Sequence, residues 1–299
     1  MLSRRRGQNE NDNNKNESNR LLCIVLYDHC CCWIGFTEFY YLGIFYVMKL
    51  FIKIKYDGTR YAGYQVQNNA LTIQEVLNKA LLDLFGFECD ITGCSRTDAG
   101  VHARCFCATV QKRGESSLET GIPCEKIPLA LNFRLPDDIS VFYAEWVNND
   151  FHARYGVKSK TYEYHILNSR FKDPFYVNKA YHYPKLFNEY DVLKMNEAAC
   201  NICGKHDFSS FMASGSNVVD TVRTVFECNV TGIGDEIVIR ISADGFLYNM
   251  VRIISGTLLE VGKGNITPEQ ISDIINSKNR ALAGATLPAH GLYLTEVVY

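Results

Sequence analysis

Met48-Lys-Leu-Phe-Ile-Lys-Ile-Lys-Tyr56 sets lysines against apolar residues with the two-residue period of a strand that buries one face. Working downstream, Tyr56-Asp-Gly-Thr59 is a turn signal, and Thr72-Ile-Gln-Glu75 is a capping box. The box opens a helix to about Phe85, with Ile73, Val76, Leu77, Ala80, Leu81 and Leu84 on one face. Further strands are expected over residues 104–110, 140–147 and 160–167. A second set follows: a helix over 189–203 stopped by Gly204, strands over 222–231 and 236–242 around a Gly232-Ile-Gly-Asp235 turn, and an apolar helix over 246–261. Another helix starts at Thr267-Pro-Glu-Gln270, and a last strand spans 292–298. Antiparallel-leaning strands with a few helices, twice over, give an α+β chain of two similar halves, residues 48–155 and 156–299.

Upstream of the strand the character changes. Residues 1–20 are polar and Asn-rich, and 21–47 are apolar and aromatic but interrupted by Asp28 and Glu38. Those acids spoil every window long enough to span a membrane, and a polar stretch separates Arg4–Arg6 from the apolar run, unlike a signal peptide. The expectation is that the working protein starts at Met48, with residues 1–47 an extension without a folding role. A membrane tether using this run is the alternative.

The chain has 299 residues, 47% of them hydrophobic, and a net charge of −2, which excludes a disordered chain and one that is basic all over. Its 12 cysteines are too few for a disulfide scaffold and lack the paired spacing of a zinc site; they are expected to be buried, reduced thiols. The Gly232–Gly234 pair lacks the third glycine and the helix of a dinucleotide loop. No cofactor or metal is expected.

The segment with the most chemistry is Gly93-Cys-Ser-Arg-Thr-Asp-Ala-Gly-Val-His-Ala103. Asp98 sits two residues from Arg96, a neighbour expected to keep the carboxylate ionised for nucleophilic or base work, and Gly100 lets a large ligand approach the backbone. Read alone, the segment is better explained as a polar turn capped by Asp98, because polar turns greatly outnumber active sites.

In context it resembles the R-T-D-A-G-V-H-A motif of the tRNA pseudouridine synthase A family. Tyr56-Asp-Gly-Thr-Arg-Tyr-Ala-Gly-Tyr-Gln65, Leu131-Asn-Phe-Arg-Leu-Pro-Asp-Asp-Ile139, Phe151-His-Ala-Arg154 with Lys160-Thr-Tyr-Glu-Tyr164, Asp207-Phe-Ser-Ser-Phe211, Met250-Val-Arg252 and Gly291-Leu-Tyr-Leu294 are similar to the family's other motifs, in family order. Tyr64 replaces the usual Trp, Ser95 stands where many members have Gly, and Ile253 follows Met-Val-Arg where Asn is common.

The resemblance implies two ferredoxin-like, RRM-like halves with the active site in a cleft between them. It implies a cytoplasmic homodimer that isomerises uridine to pseudouridine at positions 38–40 of the tRNA anticodon stem-loop, without cofactor or metal. Asp98 is then the nucleophile, on ribose or on uracil. Arg96 and Arg252 bracket its charge and the substrate phosphate, and Tyr162 stacks on the uracil and joins the proton step. His102 and His152 are structural or RNA-facing. Arg154, Lys158 and Lys160, interleaved with tyrosines, are the RNA contacts, and the target base is flipped out of its stack. A near-neutral chain then implies a local basic cleft at Arg96, Arg154, Lys158, Lys160 and Arg252. The rival from another class is a non-catalytic RNA-binding or RNA-folding protein on the same scaffold.

Overall fold

The computed structural model describes residues 48–215 and 218–299; the expectations for residues 1–47 lie outside them. Strands β1 (Met48–Tyr56), β2 (Cys89–Gly93), β3 (His102–Lys112), β4 (Ile139–Asn148), β5 (Ser159–Leu167), β6 (Tyr181–His182), β7 (Gly204–Asp207), β8 (Val222–Ile233), β9 (Glu236–Ala243) and β10 (Leu292–Val298) alternate with helices α1 (Ile73–Phe85), α2 (Ile127–Asn132), α3 (Glu189–Cys200), α4 (Met250–Gly262) and α5 (Gln270–Ser277). The class is α+β, as expected.

The strands form one continuous sheet in the order β4-β1-β3-β10-β5-β9-β8-β7, with β2 added to β3 and β6 to β5. Pairing is antiparallel except at two short parallel junctions, β5 with β6 and β10 with β3. At the second, Tyr293 lies opposite His102 and Leu294 opposite Ala103, so the C-terminal strand joins the earlier and later strands into one sheet. β10 pairs on its other edge with β5, Leu294 opposite Tyr162. Two residues of functional interest, His102 and Tyr162, therefore lie on either side of one central strand.

Local chemistry accounts for the element ends. The Thr72 hydroxyl accepts from the Glu75 N–H at 3.3 Å, and Gly86 closes α1 in the left-handed region that glycine enters without steric cost. α1 lies along β2 and α2 along β4, while α3 and α4 pack on each other, α3 against β8 and α4 against β5. The cysteines among the described residues are free thiols; Cys94, Cys107 and Cys228 are buried as expected, but Cys200 is exposed.

Several element boundaries differ from the sequence reading: α5 begins at Gln270 rather than at Thr267-Pro268, and two further differences have a local cause. α3 stops at Cys200, because Asn201, Ile202 and Cys203 donate to carbonyls three residues back in tightened turns before Gly204. α4 begins at Met250, four residues later than expected, because Asn249 takes φ 59°, a left-handed conformation no helix continues through. Phe246 is thereby released from the helix and left free to pack elsewhere.

Candidate active site

The loop between β2 and β3 is held by the segment just after β1, and this interlock explains the spacing of the glycines there. The Tyr56 and Thr97 hydroxyls are 2.8 Å apart, and the Thr97 carbonyl accepts from the Tyr64 N–H at 3.1 Å. A side chain at Gly58 would lie 2.0 Å from the Val101 carbonyl oxygen, and one at Gly63 2.6 Å from that of Thr97. Only glycine permits both approaches. Gly100 takes φ +79°, the turn that lets the loop double back beside Asp98.

His102 closes the base of the loop. Its Nδ1 accepts from the Gly58 N–H at 3.1 Å, and its Nε2 donates to the His290 carbonyl at 3.1 Å. Burial pushes its pKa down, and the Asp57 carboxylate, with Oδ1 3.0 Å from Nδ1, opposes the shift. His102 is 1% exposed, so of the two roles foreseen for it the structural one holds.

Asp98 faces Arg252 of α4, with Arg252 Nη1 3.8 Å from Asp98 Oδ2. That separation is an ion pair rather than a hydrogen bond. The guanidinium is fixed by other acceptors: Nε donates to the Leu287 carbonyl at 2.7 Å and Nη1 to Asn249 Oδ1 at 2.6 Å. Leu287 can reach it because the chain before it lies directly on α4. A side chain at Gly256 would meet the Ala285 carbonyl oxygen at 1.9 Å, and one at Gly284 the Gly256 backbone at 2.5 Å. Among the described residues Arg252 is thus held by two other acceptors, and it faces the carboxylate at ion-pair rather than hydrogen-bond distance. Burial raises the Asp98 pKa above its ordinary value, and Arg252 pulls it partly back. From local chemistry the ionising neighbour is Arg96, and the family resemblance adds Arg252; in the structure Arg252 is the cation that faces Asp98, and burial outweighs it.

Tyr162 on β5 forms the opposite wall. Its hydroxyl lies 3.2 Å from Ser95 Oγ, and its ring meets Phe246 edge-on at 5.0 Å. Burial pushes its pKa well up, with Asp98 adding to the rise, so it stays a neutral phenol. Lys160, two residues earlier on the same face of β5, is half-buried, and burial lowers its pKa.

The remaining expected residues lie at an open mouth. Arg96, Arg154 and Lys158 are exposed, and Arg96 and Arg154 line one cavity of about 240 Å³ together with His152. His152 Nδ1 accepts from the Arg154 and Tyr155 N–H groups, each at 3.1 Å, and so shapes this turn. Among the described residues no group of three or more His, Cys, Asp or Glu side chains is placed to hold a metal ion. No helix there is long and apolar enough to cross a membrane.

The tRNA pseudouridine synthase family description matches residues 52–156 and 198–299. A tRNA pseudouridine synthase A of Thermoanaerobacter sp. (strain X514) is 47% identical over 251 residues, 84% of this chain and 99% of that protein. This chain belongs to the tRNA pseudouridine synthase family. Relatives of the same name in Caldicellulosiruptor saccharolyticus and Bacillus licheniformis are 45% and 46% identical, each covering 84% of this chain and 99% of theirs. A solved Cbf5-Nop10-Gar1 complex aligns at 12% identity and TM-score 0.35 over 82% of this chain and 48% of that one, too distant a likeness to bear on the site.

For a member of this family, the sequence reading missed the residues that act through others. The sequence pattern puts Phe246 inside a helix and does not single out Asn249 or Leu287. Asn249 had a readable signal, three residues before Arg252 on the way into a helix; Leu287 had none, because its role is a carbonyl brought in by tertiary packing. Ser95, in the sequence only a departure from the family pattern, is the residue that touches the Tyr162 hydroxyl.

Proposed function

We propose that this tRNA pseudouridine synthase isomerises uridine at positions 38–40 of the anticodon stem-loop with Asp98 as its nucleophile. The observation that carries the reading is the carboxylate held 3.8 Å from a guanidinium that is itself anchored elsewhere. The reaction breaks the bond from N1 of uracil to the ribose and makes one from C5. One proton leaves C5 and one reaches N1, so atoms and electrons balance without a redox partner or an energy source. Asp98 attacks the ribose or the uracil ring, and in either case burial makes its lone pairs more basic. Arg252 supports the negative charge that returns to Asp98 when its bond breaks. Tyr162, a neutral phenol, offers the base a ring face and a proton donor rather than a phenolate. Arg96, Arg154, Lys158 and Lys160 bind the RNA backbone.

Residues 48–155 and 156–299 serve as the two halves, the first supplying the Asp98 loop and the second Tyr162 and Arg252. The protein works in the cytoplasm as a homodimer that holds one tRNA across both subunits. The target base leaves its stack to reach Asp98, at a cost of a few kcal/mol that phosphate and stacking contacts offset.

The test is pseudouridine mapping on tRNA incubated with the wild type and with Asp98→Asn. Conversion should fall on the order of 10³-fold or more while tRNA affinity is retained. Folding should not suffer. A carboxyl whose folded pKa lies above its unfolded value weakens the fold at neutral pH, and the penalty lifts as pH falls through the folded value. A variant that still converts uridine overturns the nucleophile. A wild type that binds tRNA without converting it favours the non-catalytic RNA-binding reading.

A further inference from the structure

The cavity at the mouth does not contain Asp98. Its wall includes Tyr64, Gly93, Arg96, His152, Arg154 and Tyr155, and its volume is about 240 Å³. Three features point to what it takes. First, the two arginines are exposed and share one hollow. A pair of planar guanidinium forks is suited to a phosphodiester, which each can bind through two N–H groups. Second, Tyr155 is 80% exposed but not loose. Its ring lies 4.3 Å from the His152 ring at 33°, and its backbone N–H is tied to His152 Nδ1 at 3.1 Å. A large aromatic fixed in the open is a platform for a base, because every base has a face to stack on it.

Third, Tyr64 lines the inner wall and carries an unpartnered hydroxyl buried behind it. The residue is 2% exposed, its ring stacks on Phe106 at 4.2 Å, and its buried hydroxyl has no hydrogen-bond partner among the described residues. A buried hydroxyl left without a partner is costly, and such groups mark places where a ligand supplies the missing bond.

The position relative to Asp98 follows from the chain. Arg96 is two residues from Asp98, so their backbones are at most about 7 Å apart. That is roughly one nucleotide step along an extended strand. We propose that this cavity is a nucleotide subsite, separate from the position of Asp98, for a nucleotide next to the target uridine: its phosphodiester lies between Arg96 and Arg154 and its base on Tyr155. The proposal rests on the RNA-modifying reading above. In it Arg96 is a backbone clamp rather than a partner of Asp98, and the neighbouring base stays engaged while the target base is flipped away.

The experiment pairs a change in the protein with a change in the RNA. Anticodon stem-loops are made intact or with one abasic nucleotide on either side of the target uridine. Their Kd is measured for the full-length wild type, Tyr155→Ala and Tyr155→Phe, with pseudouridine formation scored in the same samples. With the wild type, removing the base on one side should weaken binding about tenfold. Tyr155→Ala should weaken binding of the intact RNA by a similar factor and make the abasic change silent; Tyr155→Phe should restore wild-type behaviour. Losses that multiply between Tyr155→Ala and the abasic RNAs overturn the subsite, as does unchanged affinity of Tyr155→Ala for intact RNA. Because Kd does not depend on turnover, absent pseudouridine formation counts against the proposed activity and leaves the binding result to decide the subsite.

Discussion

The two arginines near Asp98 are built in opposite ways. Arg252 is 16% exposed at its side chain and bound by the Leu287 carbonyl and Asn249 Oδ1 before any substrate arrives. Arg96 is exposed at the mouth of a cavity shared with Arg154. A guanidinium anchored in a low-dielectric wall needs no reorganisation when charge shifts on the carboxylate, which is the condition for electrostatic catalysis. A solvated guanidinium must be captured by its ligand, and its contribution is to affinity and is screened by salt. In the proposed mechanism, two residues of one type, expected from the sequence to bracket the same charge, divide between rate and binding.

That division breaks first at Arg252. Arg252→Gln should lower kcat on the order of 10²-fold with a smaller change in KM. It should also move the acidic limb of the pH profile. Burial already raises the Asp98 pKa from 3.8 and Arg252 opposes it, so without the guanidinium the limb shifts to higher pH. A kcat/KM profile measured from acid upward checks this. An unmoved limb would mean that Arg252 does not act on Asp98.

The anchoring can be attacked without touching the arginine. A methyl group at Gly256 would stand 1.9 Å from the Ala285 carbonyl oxygen, so Gly256→Ala must push the 284–287 segment off α4. Overpacking of this kind costs about 2 kcal/mol, read by denaturant unfolding. It should also lower kcat, because the Leu287 carbonyl moves with that segment. A variant that loses stability but keeps full kcat would show that the Leu287 contact is dispensable.

The same contrast explains what could be read from the sequence. The Asp98 loop was legible because it and residues 56–65 resemble motifs of one family; the backbone interlock that holds them together, and that requires Gly58 and Gly63, became visible only in the structure. The α+β class was legible from alternation in β1, β5 and β9, but the joining of the strands into one sheet was not. The junction of β10 with β3 is two residues long and depends on the end of the chain returning to the middle. Arg252 could be singled out, since an arginine within an apolar helix needs partners. Its partners could not, because Leu287 contributes a carbonyl that any residue carries. The expected start of α4 failed for a similar reason. Periodicity continued through residues 246–249 while Asn249 took a left-handed turn, and Phe246 went to the wall beside Tyr162 instead.

The smallest expected effect lies on the Arg96 side and separates the two arginines most sharply. Arg96→Ala removes one exposed cation and no described structural bond, so stability should stay within about 0.5 kcal/mol of wild type. Binding of tRNA should weaken up to about tenfold at low salt, and the slope of log K against log salt should become shallower by about one. The kcat at saturating tRNA should hold, because Asp98 keeps Arg252. Arg252→Gln should do the reverse, leaving the salt slope in place and lowering kcat. The two salt titrations, run side by side on one tRNA, make the distinction measurable: a buried cation already bound to protein acceptors has no counterion to release when RNA arrives, whereas an exposed one does. Equal slopes for the two variants would mean that both guanidiniums meet the RNA as solvated charges, and the partition between rate and binding would fail.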